Sequence, residues 1–173
     1  MFIIPKELMS ILTFPGIIIH EWAHKLACDL FKIKVLETKY WSLQGGYVVH
    51  EATEDIKVVA AISLAPFVIG SLMAILLGIV CVIMRNWEIL LEYFYVVRIF
   101  GITIGMHAFP SNQDTSNFLN FAKHYNKKTL VMIASTLHSV FIILNALRFI
   151  WIDAFYGAFL VILPEKIIFG SIV

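Results

Sequence analysis

The residues most able to do chemistry are two histidines and a glutamate in the segment His20-Glu21-Trp22-Ala23-His24. Residues four apart lie on the same face of a helix, so both imidazoles would point to one side. Two imidazoles in this arrangement can bind zinc, and the glutamate between them can activate a water molecule. Ionisable side chains are costly in an apolar stretch such as this one. The pentapeptide therefore predicts a zinc site, and a histidine pair at a helix–helix contact is the competing interpretation.

The composition indicates that this motif lies in an integral membrane protein. Of 173 residues, 60% are hydrophobic and 14% are charged, whereas soluble domains are about 45–50% apolar and about 25% charged. A spanning helix needs about 20 mostly apolar residues. Four segments qualify, namely residues 8–31, 58–84, 89–108 and 129–147. The sequence predicts a single α-helical membrane-embedded domain over residues 1–173, with its core in residues 8–125.

Two further segments are predicted from local patterns. Residues 35–41 and 47–49 are rich in β-branched and aromatic residues, and the turn signal Gln44-Gly45-Gly46 separates them. They predict a β-hairpin between the first two helices, which is either an ordinary surface element or an edge that accepts an extended peptide as an added strand. Residues 154–163 are apolar but too short to cross alone, so we expect them to extend the fourth helix or to lie at the interface.

Lysine residues are concentrated in the two longest predicted loops, residues 32–57 and 109–128. Because cytoplasmic loops carry the excess of lysine and arginine, we expect both loops in the cytoplasm and the N-terminus outside. This predicts a multi-pass membrane protein with its active site towards the cytoplasmic face, and we expect the membrane to be the plasma membrane. The net charge of +1 argues against a nucleic-acid partner. The composition makes the lipid bilayer the expected partner instead.

A third zinc ligand is needed, because catalytic zinc usually has three protein ligands and one open position. The first and third predicted helices run in the same direction, so the end of the third helix lies on the side of the motif. Pro110 ends a helix there, and polar residues follow. We assign Asp114 as the third ligand, with His107 as the alternative ligand or as a residue that orients one. Asp114 could also cap a helix over residues 115–124.

The chain resembles the site-2 protease family of intramembrane zinc metalloproteases. The resemblance covers the pentapeptide, Asp114 after the third helix, the hairpin, and Ser63-Leu64-Ala65-Pro66 at the start of the second helix. It implies that His20, His24 and Asp114 bind zinc, that Glu21 is the general base, and that peptide bonds within or beside transmembrane helices are hydrolysed. The substrate that it implies is a membrane-protein or membrane-anchored peptide. The family's Asn-Pro-Asp-Gly or Leu-Asp-Gly motif is replaced by residues 110–115, where threonine follows the aspartate and the proline is displaced.

Two other functions remain open at this stage. A non-proteolytic relative would use the same bundle as a membrane chaperone or interaction protein. A different membrane peptidase with the HExxH motif would take its third ligand from a later helix, where Glu165 is the candidate. In the preferred interpretation, water must reach the buried site, and Pro15-Gly16 could bend the first helix and open a route.

Overall fold

The structure is a computed structural model that describes residues 5–85, 91–125 and 127–170. These residues are mostly helical and include one antiparallel hairpin. The helices are α1 (Lys6–Leu12), α2 (Phe14–Leu30), α3 (Ile56–Arg85), α4 (Leu91–Met106), α5 (Asn112–His124), α6 (Lys128–Ala146) and α7 (Ile152–Phe169). The strands β1 (Val35–Lys39) and β2 (Tyr47–His50) lie between α2 and α3. A mostly helical fold with a hairpin at this place was predicted and is confirmed.

The continuous helix predicted over residues 8–31 is wrong at Thr13, where α1 ends and α2 begins. The Thr13 hydroxyl donates to the Met9 carbonyl at 2.8 Å, which closes the last turn of α1. Pro15 lies in the first turn of α2, where its missing N–H has no helical partner to lose. The bend that Pro15-Gly16 predicted is therefore a full break, two residues earlier than expected.

The hairpin is joined to α1 by two hydrogen bonds. The Trp41 indole Nε1–H donates to the Ser10 carbonyl at 3.1 Å, and the Ser10 hydroxyl donates to the Ser42 carbonyl at 2.7 Å. Gly45 in the turn has φ of 115°, a conformation that favours glycine. Because α1 precedes α2 directly, these bonds hold residues 40–46 beside the first turns of α2.

The prediction that residues 154–163 extend the fourth helix is wrong, because they belong to α7, a separate helix of 18 residues that packs against α3 and α4. The alternative, a position at the membrane interface, stays a prediction. Trp151, with φ of 64°, separates the turn Leu147–Ile150 from α7, because its left-handed backbone conformation cannot continue a helix. A Cβ atom added to Gly157 would collide with the Ile102 carbonyl and lie 2.8 Å from the Met106 nitrogen. Only glycine permits this close contact between α4 and α7. Pro164 lies inside α7, so a search that ends helices at proline underestimates its length.

Two described helices are long and apolar enough to cross a membrane, Ile56–Arg85 and Lys128–Ile150, with mean hydropathies of 2.8 and 2.0. They correspond to the second and fourth predicted spans. Helices α2 and α4 have 17 and 16 residues, or about 24–26 Å at about 1.5 Å per residue. That is somewhat shorter than the hydrocarbon core of about 30 Å. Crossing by these two helices stays a prediction, and residues 89–90 of the third predicted span lie outside the described residues.

Candidate metal centre

Three side chains that sequence analysis assigned to one site lie together. His20 and His24 lie on one face of α2, and Asp114 lies in the first turn of α5. One ligand atom from each residue lies within 4.8 Å of the others. The Nε2 atoms of the histidines are 3.3 Å apart, and the Asp114 oxygens lie 3.7 Å from His20 Nε2 and 3.5 Å from His24 Nε2. In a tetrahedral site with bonds of about 2.0–2.1 Å, neighbouring ligand atoms are about 3.3–3.4 Å apart.

Backbone carbonyls orient both imidazoles. His20 Nδ1 lies 2.7 Å from the His107 carbonyl oxygen, and His24 Nδ1 lies 2.9 Å from the Ile62 carbonyl oxygen. A carbonyl only accepts hydrogen bonds, so each Nδ1 atom carries the proton and each Nε2 atom of a neutral ring presents a lone pair. Metal-binding histidines are commonly held in this way. The convergence of two Nε2 lone pairs and a carboxylate, all acceptors, therefore fits a bound cation.

Asp114 has two roles in the structure. Its backbone N–H donates to the Ser111 hydroxyl at 3.1 Å, and its Oδ2 atom accepts from the Ser111 N–H at 2.7 Å, which together form a capping box. The predicted helix over residues 115–124 begins earlier, at Asn112, and Ser111 rather than Asp114 is its N-cap. The Asp114 carboxylate also faces the Nε2 atoms of His20 and His24, at 3.7 Å and 3.5 Å. Capping and facing the histidines are therefore compatible.

The His107 side chain is not among the three clustered side chains. Its Nδ1 atom lies 3.1 Å from the Thr103 carbonyl oxygen, and its Nε2 atom lies 3.4 Å from the Thr13 hydroxyl. What His107 contributes is its main-chain carbonyl, which orients His20. Glu165, the late ligand considered for a different peptidase, pairs with Arg85 and lies 3.6 Å from Arg98. Neither alternative ligand is therefore placed with the histidine pair.

Glu21 follows His20 directly and is only 8% exposed. Gly46 of the hairpin turn lies against it, since a Cβ atom added to Gly46 would collide with Glu21 Cγ. Glu21 and Asp114 each bring a negative charge to a largely desolvated place, where uncompensated charges are costly. Neutral imidazoles offer no compensation, whereas a divalent cation would offset both carboxylates. The donor set therefore fits zinc in chemistry as well as in spacing.

Two cavities meet at the site. Both are lined by His20, Glu21, Gly46 and Ser111. The larger, of about 1250 Å³, is a cleft whose other walls are mainly apolar, including Met9, Ile17, Leu43, Met106, Phe109, Phe149 and Trp151. The smaller, of about 370 Å³, also contacts β2 and the polar side chains of His50, Ser63, Gln113 and Asn117.

One wall of the large cleft was missed by sequence analysis. It consists of residues 148–153, in the turn Leu147–Ile150 and the start of α7. Arg148 Nε lies 3.6 Å from the buried carboxylate of Asp153 there. The signal was available in principle, since an arginine and an aspartate follow the end of an apolar helix, but nothing in their spacing pointed to the distant motif.

Comparison with known proteins identifies no relative of this chain. No protein-family model matches the chain, and no match is found among curated proteins or solved structures. The interpretation of this centre therefore depends on its own residues and geometry.

Proposed function

We propose that the chain is an intramembrane zinc metalloprotease that hydrolyses peptide bonds within or next to transmembrane segments. The observation that carries the proposal is the convergence of acceptor atoms from His20, His24 and Asp114 beside the carboxylate of Glu21. The apolar cleft that opens on the same residues supports a membrane-derived substrate. The pentapeptide alone would support only metal binding.

Each residue has a defined task in the proposed reaction. His20, His24 and Asp114 would hold zinc, which when bound lowers the pKa of a water molecule to about 7 and polarises a carbonyl group. Glu21 takes the proton of the attacking water and returns it to the leaving amine. The carbonyls of His107 and Ile62 keep both histidines in the tautomer that presents Nε2. The substrate carbonyl must therefore approach from a cavity that contacts Glu21.

The proposed substrate is a segment of a membrane protein in an extended conformation. A peptide bond inside a helix is shielded by its own turn, so cleavage requires local unwinding. Strand β2 lines the smaller cavity beside Glu21, and its neighbour β1 pairs with it on one edge only. Main-chain hydrogen bonds to an open strand edge would hold an unwound peptide near Glu21. A peptide bound in this way would have its backbone presented beside the general base.

The proposed placement is a multi-pass protein of the plasma membrane. Helices α3 and α6 would cross the bilayer by length and apolarity. Helices α2 and α4 would complete the four spans, with the hairpin and the α4–α5 loop at the cytoplasmic face. This placement is supported by the contact between the two loops, since Gly46, Tyr47, Ser111 and Asp114 line one cavity. Water would then reach the site from the cytoplasm.

The test is cleavage of transmembrane peptides by the purified protein in lipid nanodiscs, together with measurement of its zinc content. We expect Glu21→Gln to retain zinc and to lower the cleavage rate about 10²–10⁴-fold, because the general base is lost. Glu92→Gln, the same change at an exposed position of α4, is the control and should cleave normally. Wild-type protein without zinc, or Glu21→Gln with normal cleavage, would contradict the proposal. Binding of peptides by zinc-loaded wild type without turnover would favour the chaperone alternative instead.

A further inference from the structure

One face of α6 makes polar contacts with the loop that carries Asp114. His138, Phe141 and Asn145 are spaced by three and four residues, so they share a helix face. Asn145 Nδ2 donates to the Pro110 carbonyl at 3.0 Å and to Asn112 Oδ1 at 2.8 Å. These contacts lie just before Asp114 in sequence.

The same face also contacts the residue just after Asp114. His138 Nδ1 lies 3.0 Å from the hydroxyl of Thr115, which is only 2% exposed. This hydroxyl has a single proton, and the Ser111 and Asn112 carbonyl oxygens lie 3.3 Å and 3.2 Å away to accept it. The hydroxyl oxygen is then free to accept the Nδ1 proton of His138. Losing His138 would leave a buried hydroxyl oxygen without this donor.

Phe141 lies between the two polar residues on this face and packs against Phe109, which precedes Pro110. It is 4% exposed, and its ring centre lies 6.2 Å from that of Phe109 and 5.4 Å from that of Phe67. The α6 face (His138, Phe141 and Asn145) therefore contacts the loop on both sides of Asp114. One buried atom of this face, Asn145 Oδ1, has no hydrogen-bond partner among the described residues.

The position of Asp114 relative to the two histidines depends on contacts from outside α5. Apart from the histidines, its hydrogen bonds are those of the capping box with Ser111, which are local to α5. They set the shape of the first turn but not its distance from α2, which carries the histidines. A ligand must be held within about 0.5 Å of its working position. Helix α5 also packs on α3, and the polar contacts to α6 fix the loop at named atoms.

We propose that the α6 face positions Asp114 for metal binding. The inference rests on the metal centre proposed above and adds residues that take no part in binding the metal themselves. Partners that orient metal ligands typically change metal affinity 10–100-fold when they are lost. The α6 face is thus expected to determine zinc affinity from a helix that contributes no ligand.

The experiment measures the zinc dissociation constant of the full chain in nanodiscs by competition with a chelating dye, and the visible spectrum of the Co²⁺-loaded protein. We expect His138→Leu combined with Asn145→Leu to raise the dissociation constant 10–100-fold and to shift the Co²⁺ bands. The conservative variant His138→Asn, with Asn145 intact, should keep most of the wild-type affinity, because the Asn amide places a donor near the former Nδ1 position. Thr136→Val, on the exposed side of α6, is the matched control and should bind as wild type does.

A double-mutant cycle tests the contact itself. Once Thr115→Val has removed the hydroxyl, adding His138→Leu should change the affinity no further. Normal affinity and an unchanged Co²⁺ spectrum in His138→Leu/Asn145→Leu would overturn the positioning role. An affinity of His138→Asn as low as that of His138→Leu would overturn it as well. In both cases the metal centre would stand. Absence of zinc and Co²⁺ binding in the wild type would instead overturn the metal centre, and the positioning role with it.

Discussion

Replacing Asp114 separates its capping role from its proposed role in metal binding, because the two use different properties of the side chain. Asp114→Asn keeps an oxygen that can accept the Ser111 N–H but removes the negative charge. Asp114→Ala removes both, and Ser111→Ala removes only the hydroxyl that accepts the Asp114 N–H. The three variants therefore form a series in which capping and charge are lost separately and together.

The magnitudes follow from burial and geometry. The Asp114 side chain is 18% exposed, so its charge is largely desolvated, and removing one member of a buried charged set costs about 3–5 kcal/mol. At about 1.4 kcal/mol per factor of ten, Asp114→Asn should raise the zinc dissociation constant about a hundredfold to a few thousandfold. Loss of the cap in Ser111→Ala costs about 1 kcal/mol. That corresponds to a melting temperature lower by about 2–4 °C.

The assay combines zinc titration with thermal unfolding of the metal-free protein. We expect Asp114→Asn to lose zinc affinity while the metal-free protein is at least as stable as wild type, because a desolvated charge is removed. Ser111→Ala should show a lower melting temperature with a small change in affinity. Asp114→Ala should show both losses. Wild-type zinc affinity in Asp114→Asn would refute the reasoning, because it would mean that the carboxylate is only a cap.

Three further predictions follow from close contacts. His107→Ala should bind zinc with nearly wild-type affinity in a metal titration, since the carbonyl that orients His20 is retained; loss of the metal would mean that the ring is a ligand. Gly46→Ala should keep zinc and cleave more slowly, because the new Cβ would collide with Glu21 Cγ; an unchanged cleavage rate would show that the turn can move away from Glu21 without affecting the reaction. Gly157→Val should lower the melting temperature by about 2–12 °C, from about 1–3 kcal/mol of overpacking; an unchanged value would contradict the close α4–α7 contact.

The fold was predictable where apolar length or alternation determines the element. Helices α3 and α6 contain long, mostly apolar stretches without Asp, Glu, Lys or Arg, and the hairpin has β-branched strands around two glycines, so local sequence is sufficient for all three. Helix α7 was not predictable, because Pro164 and Glu165 interrupt its pattern and its place depends on the contact between Gly105 and Gly157. Such a contact joins residues far apart in sequence, which periodicity does not report.

The site was predictable in its side chains but not in its supports. The histidine pair follows from helix geometry, and Asp114 follows from the direction of the helices. The carbonyls of Ile62 and His107 could not be found in this way, because every residue has a carbonyl and the sequence carries no mark of which one is used. The contact of His138 with Thr115 was equally hidden, since a histidine in an apolar helix fits many interhelical hydrogen bonds.

The two cavities give the proposed reaction a direction. Glu21 lines both of them, so in the proposed reaction it lies where the two cavities meet. The large cleft has mainly apolar walls, which suit the transmembrane part of a substrate. The small cavity is lined by β2 and by polar side chains such as Gln113 and Asn117, which suit the unwound peptide backbone and the attacking water. The proposed hydrolysis requires an apolar place for the transmembrane segment and a polar place for its unwound backbone and for water. The placement of Glu21 at the junction of the cavities, between two histidines and opposite Asp114, meets that requirement.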